Sequence, residues 1–253
     1  MRAVLCRAYG PPESLTVEEV DDPVAGPGEA IVDVAACSTT FPDVLMIQGL
    51  YQFKPDFPFS PGSEVAGVVS AVGEGVEGVA VGDRVFVSLG WGGMAERVKV
   101  AASALFPLPD GVELTDAAGF LYAYGTSYHA LVDRAVLQPG ESLLVLGAAG
   151  GVGLTAVELG AVMGATVIAA ASTESKLAVC RAHGAAMTIN YAEEDLKARV
   201  RDLTGGRGVD VVYDAVGGGF SEPALRSMAW NGRFLVIGFA SGEIPRIPLN
   251  LPL

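Results

Sequence analysis

The segment SLLVLGAAGGVGLTAVELG, residues 142–160, decides the fold. It begins with a short apolar run, passes through a glycine-rich turn and continues as a helical stretch of small and apolar residues. A strand that leads through such a turn into a helix is typical of a parallel sheet covered by helices. Glu158 is the only charged residue from Leu143 to Ala171, so length alone would also permit a membrane helix. The glycine-rich break favours strand, turn and helix.

Four further apolar runs follow, each separated from the next by a helical stretch. This alternation predicts parallel βαβ units. The helices between the strands are expected to end at Gly184, at Gly205 and Gly206, and at Asn231 and Gly232. The five predicted strands are SLLVLG (142–147), TVIAAA (166–171), AMTIN (186–190), VDVVYD (209–214) and RFLVIG (233–238).

The first part of the chain has a different rhythm, because short apolar runs alternate with Gly and Pro turns up to about residue 109. This pattern predicts an antiparallel barrel or sandwich. The fold class is therefore α/β, with a mostly β domain at 1–115 and a doubly wound Rossmann-type domain at 116–253.

The composition indicates a globular protein that repels polyanions. Of 253 residues, 51% are hydrophobic and 18% charged, and 16 Lys and Arg against 29 Asp and Glu give a net charge of -13. Nucleic acid and anionic membrane surfaces are therefore not expected as partners. Cys6, Cys37 and Cys180 fit neither a disulfide framework nor a zinc ribbon, and the N-terminus lacks a signal peptide's apolar core. We expect a cytoplasmic protein.

Two glycine patterns match a phosphate-binding turn, but only one has the right surroundings. GEGVEG (73–78) fits G-x-G-x-x-G, yet it lies among short β segments with no helix behind it, which predicts a hairpin turn.

AAGGVG (148–153) has a strand before it and a helix after it. Here Gly150 lets the backbone approach a diphosphate, Gly151 keeps the turn free of a side chain, and Gly153 allows the helix to pack closely on the strand. Val152 lies between these glycines. The alternative is a structural turn that binds no ligand.

The end of the second predicted strand indicates which dinucleotide binds. NAD-binding domains place a carboxylate there for the ribose hydroxyls, whereas this strand ends in alanines. Ser172, Thr173 and Lys176 follow, and their hydroxyls and cation favour NADPH over NADH. The alternative is that Ser172 or Thr173 caps the next helix while Lys176 is solvated, and both functions are compatible.

These segments resemble the quinone oxidoreductases (zeta-crystallin-like) of the medium-chain dehydrogenase/reductase superfamily. The resemblance covers the whole chain, and it implies a GroES-like substrate domain at 1–115, a Rossmann cofactor domain at 116–253 and a substrate bound between them. The segments that carry it are FPDVLMIQGLYQFKPDFPFSPGSEVAGVV (41–69), VGDRV (81–85), the AAGGVG turn, STESK (172–176) and NYAEEDL (190–196).

The resemblance also implies individual site residues. Tyr191 joins Ser172 and Lys176 around the 2′-phosphate of NADPH. Where the family's active-site loop carries Asn, Asp and Tyr, this chain has Thr40, Asp43 and Tyr51. Asp43 and Tyr51 then orient substrate or relay a proton, although Tyr51 could instead pack with neighbouring Phe side chains. Near the nicotinamide, the resemblance implies Thr126 and the backbone of Gly238, Phe239 and Ala240.

No catalytic metal is expected. Zinc-dependent relatives hold the metal with a Cys and a His at the positions that read Thr40 and Ser63 here. The two histidines are assigned to structural roles: His129 to helix packing and His183 to helix C-capping.

The predicted function is NADPH-dependent hydride transfer, without metal, to a quinone or an α,β-unsaturated carbonyl. An enoyl-thioester reductase on the same scaffold and a truncated, non-catalytic NADPH-binding protein remain alternatives. Family members are usually homodimers and continue past NLPL (250–253), so the chain is expected to lack the last strand and the C-terminal return. RFLVIG is then an exposed edge that favours association unless NLPL folds back over it.

Overall fold

The computed structural model describes residues 1–251 and divides the chain into two compact units. The first unit is Met1–Tyr122 and the second starts at Ala123. Pro252 and Leu253 lie outside the described residues, and the expectation for NLPL falls partly on them.

Short antiparallel strands build most of the first unit, as the sequence predicts. The strands are β1 (Arg2–Leu5), β2 (Thr16–Glu19), β3 (Glu29–Cys37), β4 (Glu64–Val72), β5 (Arg84–Ser88), β6 (Arg97–Ala101) and β7 (Phe106–Pro107). Strands β3 to β7 form one five-stranded sheet in the order β6-β3-β4-β5-β7, and β1 pairs with β2 separately. The helices are α1 (Phe41–Ile47), α2 (Leu114–Ala117) and the start of α3 (Leu121–Tyr128).

The GEGVEG segment connects β4 to the antiparallel strand β5, as predicted. A Cβ at Gly73 would lie 1.8 Å from the carbonyl oxygen of Gly26, and Gly75 and Gly78 adopt positive φ angles. Its glycines are therefore explained by close backbone approach and turn geometry.

The fully buried Glu64 ties the start of α3 to this unit. Its carboxylate accepts hydrogen bonds from the backbone N–H groups of Leu121, at 2.5 Å, and Tyr122, at 3.1 Å. These contacts explain why the first unit extends to Tyr122, beyond the expected boundary after residue 115.

The second unit contains all five predicted strands: β8 (Ser142–Leu146), β9 (Thr166–Ala171), β10 (Met187–Asn190), β11 (Val209–Asp214) and β12 (Met228–Val236). They form a parallel sheet in the order β10-β9-β8-β11-β12. The helices are α3, which continues into wider turns over His129–Arg134, α4 (Gly151–Val162), α5 (Glu174–Ala182), α6 (Leu196–Leu203) and α7 (Ser221–Leu225).

Both faces of this sheet are buried. Leu143 and Val145 of β8 pack in one apolar cluster with residues of α4 and α5, whereas Leu144 and Leu146 pack in another with residues of α6 and α7. The continuous apolar runs are thus explained by burial on two faces. Among the described helices, none is long and apolar enough to span a lipid bilayer.

The sequence misplaced the end of the last helix. α7 ends at Leu225, and Asn231 and Gly232 lie within β12 and not at a helix C-cap. The pairing with β11 shifts between Val209 and Val211, and Asn231 adopts a left-handed φ of 64° at this irregularity. Asn tolerates that conformation, so the Asn-Gly pair serves a bulge in a strand.

One of the two histidine assignments was also wrong. His183 is the C-cap residue of α5, as predicted. His129 is exposed, and its Nδ1 lies 2.8 Å from the Asp133 carboxylate. Because residues four apart share a helix face, this pair lies on the solvent side and His129 does not pack in the core.

Candidate cofactor and substrate sites

The glycine-rich turn lies between β8 and α4, at the carboxyl edge of the parallel sheet. Gly147 has a left-handed φ of 68°, and the N–H of Gly150 donates to its carbonyl at 2.9 Å. Gly150 is the N-cap residue of α4. The first amides of a helix lack acceptors within the helix, so Gly151, Val152 and Gly153 present N–H groups suited to a diphosphate.

Gly153 lets the helix approach the turn closely. A Cβ at this position would lie 2.2 Å from the carbonyl oxygen of Gly147 and 2.9 Å from the Cα of Ala148. A Cβ at Gly151 would meet no other group within 4 Å. The turn is therefore tightly packed on the strand side and open in front of the first turn of α4.

The end of β9 carries no carboxylate, because its last three residues are the buried Ala169, Ala170 and Ala171. Just beyond it, the ammonium group of Lys176 donates to the Ser172 hydroxyl at 3.2 Å. Thr173 is the N-cap residue of α5. Helix capping and an exposed lysine cation therefore occur together at this edge.

Tyr191 completes the group that the resemblance implies. Its backbone N–H donates to the carbonyl of Ala171 at 3.1 Å, and its ring packs on Phe220 with the centroids 4.4 Å apart. Burial raises the pKa of Tyr191, and a side-chain hydrogen bond with Ser172 opposes this shift. The structure thus brings Ser172, Lys176 and Tyr191 together.

A cleft of about 580 Å³ opens beside this group. Its lining includes Ser172 and Thr173 together with Arg199, which the sequence analysis did not single out. Arg199 forms ion pairs with Glu194 and Asp202. The sequence did not indicate Arg199, because it lies in α6, beyond the loop that follows β10, and only the tertiary fold brings it to the cleft.

The segment after β12 continues along the same edge. The N–H of Gly238 donates to the carbonyl of Asp214 at 3.3 Å, and the N–H of Ala240 donates to Ala215 at 3.1 Å. Phe239 packs against Gly217, because a Cβ at Gly217 would lie 2.7 Å from the Phe239 ring. Residues 238–240 are therefore fixed beside the loop that follows β11.

Asp214 holds that loop in place and was missed by the sequence analysis. Its buried carboxylate accepts from the N–H groups of Val216 and Gly217, each at 2.9 Å, and from the Ser221 hydroxyl at 2.5 Å. An aspartate at the end of a buried strand was the available signal, because such a carboxylate needs donors from the following loop.

Thr126, the residue expected near the nicotinamide, lies half-buried in α3. The next residue, Ser127, is fully buried. The structure thus places Thr126 on a helix that is anchored at the neighbouring position.

In the first unit, the loop that the resemblance predicts to be the active-site loop is organised around Asp43. This carboxylate is buried and accepts from the backbone N–H and the hydroxyl of Thr40, both at 2.7 Å, and from the N–H of Gly62 at 3.0 Å. The hydroxyls of Thr40 and Ser63 lie 3.1 Å apart. The two positions that hold metal ligands in zinc-dependent relatives are therefore adjacent here, and hydroxyl groups occupy both.

Tyr51 uses both its ring and its hydroxyl. The ring packs against the apolar cluster of Cys6, Met46, Ile47 and Phe59, with Phe53 at a centroid distance of 5.9 Å. Its hydroxyl lies 3.0 Å from that of Tyr122. Burial is the main cause that raises the pKa of Tyr122, and the hydrogen bond with Tyr51 raises it further. The packing interpretation of Tyr51 is therefore confirmed, whereas its role in orienting substrate or relaying a proton stays a prediction. Tyr122 is a residue that the sequence analysis missed.

The electrostatics of this loop disfavour added negative charge. Burial, Asp43 and Glu64 raise the pKa of Cys37 to about 11. Burial also raises the pKa of Glu64. Among the described residues, no group of three or more His, Cys, Asp or Glu side chains is arranged to hold a metal ion.

Comparison with known proteins places these features in a family. Residues 26–110 match the family described as "Alcohol dehydrogenase GroES-like domain", and residues 151–253 match "Zinc-binding dehydrogenase". The chain is 43% identical to "Quinone oxidoreductase-like protein 2 homolog" of Nematostella vectensis, covering 100% of this chain and 69% of the relative. It is 42% identical to "Quinone oxidoreductase-like protein 2" of Rattus norvegicus, covering 100% and 72%.

Among solved structures, the chain resembles that of Escherichia coli quinone oxidoreductase complexed with NADPH. The TM-score is 0.92 at 32% sequence identity, over 99% of this chain and 77% of that chain. The GroES-like domain and the parallel Rossmann sheet predicted from the sequence are thus confirmed.

The chain is an α/β protein of the medium-chain dehydrogenase/reductase superfamily. Within that superfamily, it belongs to the quinone oxidoreductase-like family.

Proposed function

We propose that the chain is an NADPH-dependent reductase that delivers a hydride to a quinone or an α,β-unsaturated carbonyl. The observation that carries the proposal is the cluster of Ser172, Lys176 and Tyr191 beside a strand end that lacks a carboxylate. A cation and two hydroxyls suit a 2′-phosphate, whereas NAD-specific sites need an acidic residue there.

The donor set of the second unit fits NADPH. The amides of Gly151, Val152 and Gly153 would hold the diphosphate, Ser172, Lys176 and Tyr191 would hold the 2′-phosphate, and the backbone of residues 238–240 would contact the nicotinamide end. When bound, NADPH supplies the hydride. These groups fix its position, which is the main requirement for hydride transfer to an acceptor that is already electron-poor.

In the first unit, Asp43 orders the active-site loop. Its carboxylate is satisfied by Thr40 and Gly62, so it positions the Thr40 hydroxyl and is occupied in doing so. The paired hydroxyls of Tyr51 and Tyr122 are the better candidates for orienting an acceptor oxygen and passing it a proton. Hydroxyls at Thr40 and Ser63 make a reaction without catalytic zinc the simplest interpretation, because zinc is held by Cys, His and carboxylate side chains.

The decisive experiment measures loss of nicotinamide absorbance when the purified protein is mixed with NADPH or NADH and one of three acceptor classes: quinones, enones or enoyl thioesters. We expect oxidation of NADPH in preference to NADH, with quinones or enones, and without an effect of chelators. Turnover restricted to enoyl thioesters would refute quinones and enones as the acceptors and favour the enoyl-thioester reductase. NADPH binding without turnover of any acceptor would refute the reductase.

A further inference from the structure

Three buried hydroxyl groups meet directly behind the phosphate-binding turn. They belong to Ser127 of α3, Thr155 of α4 and Tyr213 of β11, and all three residues are buried. The Ser127 Oγ lies 2.8 Å from the Thr155 Oγ1 and 2.8 Å from the Tyr213 hydroxyl. None of the three was among the residues predicted for the site.

The network has a direction, and it ends on the turn. The Ser127 hydroxyl donates to the carbonyl of Val152 at 2.9 Å. Because a hydroxyl has a single proton, the arrangement in which Ser127 donates to Val152 is the one in which Tyr213 donates to Ser127. The Thr155 hydroxyl also reaches the Val152 carbonyl, at 3.0 Å, and the carbonyl of Ala123 at 3.2 Å.

The carbonyl of Val152 and the N–H of Gly153 belong to the same peptide unit. This unit is planar and trans, so its C=O and N–H point in opposite directions and rotate together. Fixing the carbonyl from behind therefore fixes the direction of the N–H in front. Hydrogen bonds to the carbonyl also polarise the unit, which strengthens its N–H as a donor.

We propose that Ser127, Thr155 and Tyr213 are positioning residues that aim the Gly153 N–H at the diphosphate of NADPH. The inference rests on the NADPH binding proposed above. According to this inference, the buried network contributes to the affinity for NADPH, although none of the three side chains faces the ligand site.

The surroundings of Tyr213 support this assignment. It lies in β11, where Val209, Val211 and Val212 are fully buried and apolar. Burying hydroxyls is costly unless each is hydrogen-bonded, and an apolar set of side chains would fill the same space without that cost. The bonds to one carbonyl of the phosphate-binding turn give these hydroxyls a task that apolar side chains cannot perform.

The test uses substitutions that remove a hydroxyl and little else. Tyr213→Phe and Ser127→Ala should each weaken NADPH binding about five- to thirtyfold, as measured by nicotinamide fluorescence titration of the full chain. Thr155→Val should weaken it less, and Thr155→Ser should restore the affinity because it retains the hydroxyl. Adenosine 2′-monophosphate carries no 5′-phosphate, so its dissociation constant should stay within about twofold in every variant.

Ser142→Ala is the matched control. Ser142 is also buried and hydrogen-bonded, to Asp210, but it starts β8 at the opposite edge of the same sheet. This variant should lower the melting temperature as the others do and leave NADPH binding unchanged.

Three results would overturn the inference: unchanged NADPH affinity in both Tyr213→Phe and Ser127→Ala, a parallel loss of NADPH and adenosine 2′-monophosphate binding, or an equal loss in Ser142→Ala. If a variant fails to fold, the Thr155→Val and Thr155→Ser pair decides by the same criteria. Failure of the unsubstituted protein to bind NADPH is a different result, because it refutes the proposed function itself.

Discussion

Replacing Lys176 with alanine should remove most of the preference for NADPH over NADH. The lysine follows the carboxylate-free end of β9, and its ammonium group is already directed to the Ser172 hydroxyl at 3.2 Å. A 2′-phosphate bound at Ser172 would therefore receive a charge-assisted hydrogen bond from Lys176. NADH has no 2′-phosphate and would not gain this bond.

The size of the effect follows from the exposure of the lysine. Hydrogen bonds to charged groups contribute about 1.5–3 kcal/mol, and because Lys176 is exposed, solvent screening favours the lower end of that range. About 1.4 kcal/mol corresponds to tenfold in a dissociation constant. We expect Lys176→Ala to weaken NADPH binding about tenfold and to leave NADH binding within about twofold. The hydroxyls of Ser172 and Tyr191 should preserve a small remaining preference.

Fluorescence titration or calorimetry with both cofactors measures this effect. Lys176→Arg keeps the cation and should retain the preference, whereas Lys99→Ala removes the same charge from β6 of the first unit and serves as the control. The effect should shrink as ionic strength rises. Equal affinities of the unsubstituted protein for NADPH and NADH would refute the reasoning, as would a cofactor preference that Lys176→Ala leaves intact.

Three further predictions concern the turn and the ionisable groups. Gly153→Val should abolish measurable NADPH binding in titrations and lower the melting temperature, because even a Cβ at this position would lie 2.2 Å from the Gly147 carbonyl oxygen. Unchanged NADPH binding would contradict this packing. The pKa of Cys37, raised to about 11, leaves about one thiol in a thousand ionised at pH 8, so alkylation followed by mass spectrometry should modify Cys37 far more slowly than a free thiol. The hydrogen bond from Arg207 lowers the pKa of Asp210 in the folded protein. The ionised Asp210 carboxylate therefore stabilises the fold above its pKa in the unfolded chain, about 3.9. This stabilisation is lost as the pH falls towards the lower pKa of the folded protein. Asp210→Asn should therefore make the acid side of the unfolding profile shallower, and an unchanged slope below about pH 4 would contradict this.

The sequence predicted the parallel sheet well because strands buried on both faces are recognisable without tertiary information. Leu143 to Leu146 form an uninterrupted apolar run, and all four residues are fully buried. The AAGGVG turn was placed between a strand and a helix for a related reason, whereas the GEGVEG pattern has no helix behind it. Local context was enough for both decisions.

Predictions failed where a local signal has two structural meanings. Asn-Gly serves a helix C-cap and a strand bulge equally well, and the pairing of β12 with β11 decided between them at Asn231. His129, which lies within an apolar helical stretch, was assigned to helix packing, although Asp133 four residues later gave it a partner on the solvent side. In both cases a tertiary or charge-pair contact outweighed the local pattern.

The side-chain networks lay beyond the reach of the sequence for a different reason. Thr40 and Ser63 are 23 residues apart, Tyr51 and Tyr122 are 71 apart, and Ser127 and Tyr213 are 86 apart. Ser, Thr and Tyr are common, so their presence alone carries little information about which of them meet. Resemblance supplied the first pair, since both positions hold metal ligands in relatives. From the other two pairs it supplied Tyr51 alone, and Tyr122, Ser127 and Tyr213 were found only in the structure.

The hydrogen-bond partners of Asp43 indicate how the loop around it acts. An aspartate in an active-site loop is the usual candidate for proton transfer, and the sequence offered that role. A carboxylate has about four acceptor positions, and the Asp43 carboxylate has four donors within reach: the N–H and hydroxyl of Thr40, the N–H of Gly62 and, at 3.4 Å, the Ser63 hydroxyl. Asp43 is also buried, and its hydrogen bonds join two segments of the loop. We infer that Asp43 acts by holding the loop together and that proton transfer falls to the Tyr51 and Tyr122 pair. Tyr51→Phe should then lower turnover while Asp43→Asn should chiefly destabilise the first unit, and thermal melting beside steady-state kinetics would separate the two effects.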